Sequence, residues 1–144
     1  MITVETRAMA HPNIIAKHKT TLMTTTDPEL SKRGDCIVAV STGLALSDLP
    51  IAAKTLARNP ETIITIELGI EGQLFKATGK GHPELLYTDN RDMVARKSSY
   101  TCGRTLMIYS DKAACDIPLE MVNHLKDPAT DIRITLSFRN KNKE

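Results

Sequence analysis

Two stretches of this chain align without a gap: DLPIAAKTLARNPETIITIEL, from Asp48, and DIPLEMVNHLKDPATDIRITL, from Asp116. Identical are Asp48/Asp116, Pro50/Pro118, Pro60/Pro128, Thr62/Thr130, Ile64/Ile132, Ile66/Ile134 and Leu68/Leu136. Roughly one coincidence is expected from ordinary residue usage. Upstream, with small gaps, Ser41 falls on Ser110, Gly34 on Gly103, and His11-Pro12 on His82-Pro83. The chain therefore reads as two copies of one unit, about residues 1–70 and 71–138, with 139–144 as a basic flexible tail. Glu71-Gly72 is only a turn, so both copies belong to one domain.

Local pattern supplies the elements of each copy. Ile132, Ile134, Leu136 and Phe138 alternate with polar residues, which predicts a half-buried strand, and Thr62 to Leu68 is its counterpart. Before each strand lies a short helix: Leu49, Ala52, Ala53 and Leu56 share one face, as do Ile117, Met121 and Leu125. Asp48 and Asp116 are expected to cap these helices, and Pro60 and Pro128 to stop them. CIVAVS and TLMIYS predict buried strands entered through glycine turns, and KHKTTLMTTT a two-sided, partly exposed strand. Each copy is thus β-β-β-α-β. One such unit leaves a strand edge and a sheet face bare, so two must close on each other. The fold expected is strand-rich α+β with a pseudo-two-fold axis, either barrel-like or two packed sheets, carrying two short helices.

The totals narrow the partners. Apolar residues make up 41% and charged residues 25% of the chain, which is globular usage. No apolar run nears the roughly 18–20 residues that span a bilayer, so no membrane is expected. The amino terminus lacks the greasy core of a signal peptide and the three cysteines form no CxxC pair, which points to reduced thiols and a cytoplasmic setting. The net charge of +2 is carried by the tail and does not mark a nucleic-acid binder. With two phenylalanines, three tyrosines and no tryptophan, a wide stacking platform is excluded.

The stretch RDMVARKSSYTCGRTLMIYSDK is the richest in chemistry. Arg91, Arg96, Lys97, Arg104 and Lys112 outnumber Asp92 and Asp111. Guanidinium groups, hydroxyls and a glycine turn together make an anion cradle. In the upstream alignment the first copy has Asp35 where the second has Arg104, so the site would be asymmetric. The competing account is structural, the arginines pairing with the other copy's carboxylates, Asp35 and Asp48 included, to hold the copies together. His11 and His82 are candidate bases or metal ligands, but tight ligand spacings such as HxxxH or CxxC are absent and no metal is expected. The plainer account makes each His-Pro pair a capped turn. Cys102 is the thiol with basic neighbours, whereas Cys36 and Cys115 are read as core filler.

AHPNIIAKHKTT, DPELSKRGDCIVAVS, GKGHPELL and RKSSYTCGRTLMIYSDKAACDIP resemble the archaeal family catalogued as domain of unknown function 371. The resemblance spans nearly the whole chain and implies a small cytosolic protein. It transfers no catalytic residue and no cofactor.

The candidate ligand-binding residues are Arg96, Lys97, Arg104, Lys112, His11, His82 and Asp35. The function expected first is binding of a phosphate- or carboxylate-bearing ligand or an RNA element. An enzyme, a hydrolase or transferase using His11, His82 or Cys102, would place one of them beside the arginines. An assembly protein would form a homodimer through its strand edges.

Overall fold

The computed structural model describes residues 1–31 and 33–142. Eight strands and two helices follow one order twice: β1 (Ile2–Met9), β2 (Thr21–Thr25), β3 (Ile37–Ala39), α1 (Ile51–Ala57) and β4 (Ile63–Ile70), then β5 (Gln73–Lys80), β6 (Asp92–Arg96), β7 (Thr105–Met107), α2 (Leu119–Leu125) and β8 (Asp131–Arg139). The strands form two four-stranded sheets, β1-β8-β4-β5 and β3-β2-β6-β7. Single antiparallel bridges, Met9 to Val40 and Lys80 to Ile108, join the sheets at each side. One bridge is not a ladder, so the fold is two packed sheets and the barrel alternative is not formed. Among the described residues no helix is long and apolar enough to cross a membrane.

The two copies exchange strands. β1 pairs with β8 and β5 pairs with β4, each the first strand of one copy against the last of the other. The β4–β8 ladder then joins the halves at the centre of the sheet, Ile66 opposite Leu136. Alternation does what the sequence requires of it: Ile64, Ile66, Leu68 and Ile70 on β4, and Ile132, Ile134, Leu136 and Phe138 on β8, are fully or almost fully buried. They meet Leu22, Met93, Ala95 and Leu106 of the second sheet in one apolar cluster. α1 lies against β8 and α2 against β4, so each helix also packs on the other copy.

Several local expectations need correction. Asp48 and Asp116 do not cap the helices. Each ends a short 3-10 turn, Leu46–Asp48 or Ala114–Asp116, and its Oδ2 accepts the N–H of Ala45 or Ala113 at 2.8 Å. Pro50 and Pro118 stand at the helix N-caps instead. β2 is not half exposed: as an inner strand covered on both faces it buries Leu22, Met23, Thr24 and Thr25. The last strand reaches the expected start of the tail. Arg139 closes β8, and the buried Asn140 donates to Thr62 Oγ1 at 3.1 Å. Lys143 and Glu144 of that tail lie outside the described residues.

The upstream alignment also shifts. Ser41 N–H donates to Asp27 O and Tyr109 N–H to Ser98 O, both at 3.1 Å, and both residues have positive φ, 50° and 54°. Tyr109, not Ser110, is therefore the counterpart of Ser41. By the same frame Met23 N–H meets Cys36 O where Val94 N–H meets Arg104 O, so Arg104 replaces Cys36 and not Asp35. The offset changes because the crossover from β2 to β3 (residues 26–36) is longer than that from β6 to β7 (97–104).

Candidate functional site

The two His-Pro turns are built alike and stand apart. His11 N–H donates to Leu125 O at 3.0 Å, at the end of α2, and His82 N–H donates to Ala57 O at 2.9 Å, at the end of α1. Each ring folds back on its own turn, with Nδ1 accepting the N–H of Asn13 or Glu84 at 3.0 Å. Nδ1 is an acceptor in both, so neither ring carries its hydrogen there. Their pairings are those of turn caps. Among the described residues no three His, Cys, Asp or Glu side chains converge to hold a metal.

The four candidate cations do not share one cradle. Arg104 Nη1 lies 3.0 Å from Asp92 Oδ2, and Arg91 Nε lies 3.6 Å from Oδ1 of the same carboxylate. The Asp92 side chain is only 2% exposed, so Arg104 neutralises a buried charge. Lys97 Nζ is 3.4 Å from Asp116 Oδ2. Lys112 Nζ donates to Lys76 O at 2.9 Å and sits 5.5 Å from the centre of the Phe75 ring. The structural account of the arginines is not met at Arg104: its partner is Asp92 of its own copy, not Asp35 or Asp48 of the other, so this pair does not join the copies. Asp35 acts through its carbonyl, which accepts the N–H groups of Lys17 and His18.

Arg96 differs from the rest. It ends β6, half-buried, and its guanidinium meets only neutral groups. Nε donates to Thr105 Oγ1 at 2.9 Å, Nη2 to Cys102 Sγ at 3.5 Å, and the Tyr100 ring lies 4.9 Å away. Among the described residues no carboxylate pairs with it. Thr105 Oγ1 also accepts the Cys102 N–H at 3.1 Å, which ties the turn to the strand. Burial works against the Cys102 thiolate, but hydrogen bonds from Arg104 N–H, the Thr105 hydroxyl and Arg96 outweigh it and hold the thiol below its ordinary pKa. The other thiols are not core filler. Cys115 is exposed and Cys36 partly so. Burial pushes the Cys36 thiol up, against a hydrogen bond with Thr21.

The first copy provides an internal comparison. Glu29 N–H bonds to Asp27 Oδ1 as Tyr100 N–H bonds to Ser98 Oγ, at 2.9 and 3.3 Å. On this shared frame the first copy carries Thr25, Thr26, Asp27, Glu29 and Ser41. The second carries Arg96, Lys97, Ser98, Tyr100 and Tyr109. Acidic and ringless on one side, basic and aromatic on the other, the two crossovers begin and end on matching backbone bonds and differ in length and chemistry. Tyr100 and Tyr109 were not among the sequence candidates. The signal that could have found them was the correct alignment of Ser41 with Tyr109.

The chain is similar to known proteins over most of its length. The uncharacterized protein MJ0206 of Methanocaldococcus jannaschii is 40% identical over 121 residues, covering 84% of this chain and 89% of that protein. A family model described as Domain of unknown function (DUF371) matches residues 6–139. The chain belongs to that family.

Proposed function

We propose that this protein binds a small phosphate- or carboxylate-bearing ligand at the turn around Arg96. One observation carries the reading: Arg96 is a half-buried cation held by a hydroxyl, a thiol and a ring, with no carboxylate among the described residues. A guanidinium so placed keeps its charge available, and it is oriented in advance by Thr105. Lys97, next in the chain, is held only by an exposed pair with Asp116 that a ligand anion can replace, and the Ser98 and Ser99 hydroxyls add donors. Arg104, Lys112, His11, His82 and Asp35 are engaged elsewhere and are assigned to the scaffold. The enzyme reading rests on Cys102 alone, which touches Arg96 and has no histidine among its hydrogen-bond partners.

The test is thermal melting of the wild type and Arg96→Ala against inorganic phosphate, pyrophosphate and citrate. At ten times its Kd a ligand stabilises by about 1.4 kcal/mol, or roughly 3–5 °C for a domain of this size. Phosphate also stabilises folded proteins generally through exclusion from their surface, so the difference between the two proteins is the readout. Equal responses of both, or none in the wild type, would sink the proposal.

A second reading, a homodimer through strand edges, has one observation in its favour. On β5, Lys112 caps the Lys76 carbonyl and Asp111 Oδ1 takes the Thr78 N–H at 2.8 Å. The matching residues beside β1 are Gly43 and Leu44, and only Gly43 N–H closes an edge group, the Arg7 carbonyl. Arg7 and Met9 turn these groups away from β8, so by alternation Thr3 and Glu5 do the same and, among the described residues, leave their edge open. An antiparallel pair of β1 strands centred on Val4 would join Thr3 of one chain to Glu5 of the other. Sedimentation should show a dimer that Glu5→Pro converts to a monomer with its melting point nearly kept, since the lost N–H faces away from β8. A wild-type monomer at high concentration disposes of this reading.

A further inference from the structure

The chain has five aromatic side chains, and Tyr87, Phe75 and Phe138 are buried. The remaining two, Tyr100 and Tyr109, are 60% and 59% exposed, although they come from different segments. Both are tethered to one residue: Tyr109 N–H donates to Ser98 O at 3.1 Å, and Tyr100 N–H to Ser98 Oγ at 3.3 Å. Ser110 N–H reaches Arg96 O at 2.9 Å, which fixes the Tyr109 segment against the end of β6. Both exposed tyrosines are thus anchored by their backbone N–H groups to Ser98, two residues from Arg96. Among the described residues the only ring pair is Tyr87 with Phe138, so Tyr100 and Tyr109 do not fill each other's faces.

The placement is not a by-product of the fold. The backbone at Tyr109 has φ of 54°, a region that bulky side chains avoid, and its counterpart Ser41 shows that a small residue serves the same turn. Glu29 likewise serves where the second copy has Tyr100. Apolar surface is exposed here at positions where the same frame in the first copy is polar.

We propose that the ligand of this site is a phosphorylated nucleoside, its phosphate at Arg96 and Lys97 and its base stacked on Tyr100 or Tyr109. The inference rests on the anion reading above and adds the planar group. Flat heterocycles are what exposed phenol rings and a guanidinium plane bind together. A free nucleotide and the end of an RNA strand share this chemistry.

Calorimetric titration of wild type, Tyr100→Leu and Tyr109→Ser with AMP, ribose 5-phosphate and hexauridylate tests it. AMP should bind roughly ten- to a hundred-fold more tightly than ribose 5-phosphate, which lacks the base. At least one of the two substitutions should lower AMP affinity towards that of ribose 5-phosphate, and Tyr109→Ser should leave ribose 5-phosphate within about two-fold of wild type; AMP affinity unchanged in both variants overturns the stacking inference. Serine is the residue the first copy carries at that turn, so Tyr109→Ser keeps the backbone served. Hexauridylate binding well above AMP supports the proposal with an RNA strand as the source, and binding equal to or below AMP supports it with a free nucleotide. Equal affinity for AMP and ribose 5-phosphate overturns the stacking inference and leaves the Arg96 reading standing. Binding of neither overturns both.

Discussion

Tyr87→Ala should destabilise this protein by about 4–8 kcal/mol, the largest effect expected of any single substitution discussed here. The ring is 1% exposed, tilts against Phe138 with centroids 6.3 Å apart, and its hydroxyl donates to Leu106 O at 2.7 Å. Truncating a buried aromatic costs about 3–5 kcal/mol, and an unpartnered buried carbonyl adds roughly 1–3. Backbone strain does not enter the sum. Tyr87 has φ of 54° and its counterpart Ala16 has φ of 50°, so alanine serves this turn already. Chemical denaturation at neutral pH provides the measurement. A loss below about 2 kcal/mol would mean that the space closes on truncation. Tyr87→Phe, keeping the ring, isolates the hydroxyl at about 1–2 kcal/mol.

The same residue dictates an alkaline limit. Burial holds the Tyr87 phenol well above its ordinary pKa of 10.0. Above about pH 10 the unfolded chain loses this proton and the folded chain keeps it. The unfolded state then binds fewer protons, so stability falls as pH rises, by about 1.4 kcal/mol per pH unit for this group. Its contribution is intact below pH 10. Tyr87→Phe should flatten the decline between pH 10 and 11.5 relative to wild type. Parallel curves for the two proteins would contradict the assignment.

Arg104→Ala should cost about 3 kcal/mol, lowering the melting point by roughly 10 °C, because it leaves the buried Asp92 carboxylate with only the more exposed Arg91 at 3.6 Å. Arg96→Ala, whose partners are neutral, should cost about 1 kcal/mol. The contrast separates a scaffold arginine from a ligand arginine by stability alone. The first copy suggests the rescue. Where the second copy pairs Asp92 with Arg104, the first pairs Thr21 with Cys36 through a neutral hydrogen bond. Asp92→Thr combined with Arg104→Cys should therefore recover most of the stability lost in Arg104→Ala, since replacing a buried ion pair by a neutral one is often tolerated. A double variant as unstable as Arg104→Ala would show that the ion pair has a role beyond its own neutralisation.

Glycine shows how two copies of one fold diverge in packing. A Cβ on Gly81 would lie 2.4 Å from Asn59 O and 2.5 Å from Ala57 O. Both are backbone atoms at the end of α1, which have no room to yield. Its counterpart Ala10 carries a Cβ in the same role, 4% exposed, beside α2. The turns match in hydrogen bonding and differ in how closely the helix approaches.

Local pattern by itself established the duplication, the alternation of β4 and β8, the two short helices and the paired His-Pro turns. These follow from periodicity and turn chemistry, which act over a few residues and leave their mark wherever they occur. Tertiary structure alone decided that β1 joins β8 and β5 joins β4, because alternation shows that a strand has a buried face and is silent about its neighbour. It also decided which cation met which acid. An ion pair depends on a few ångströms between side chains remote in sequence, and a longer crossover in one copy was enough to put Tyr109 opposite Ser41 and Arg104 opposite Cys36. The basic stretch was visible in the chain as a list of charges. Only folding paired Arg104 and Lys97 with carboxylates, left Arg96 among neutral groups, and tied both exposed tyrosines to Ser98.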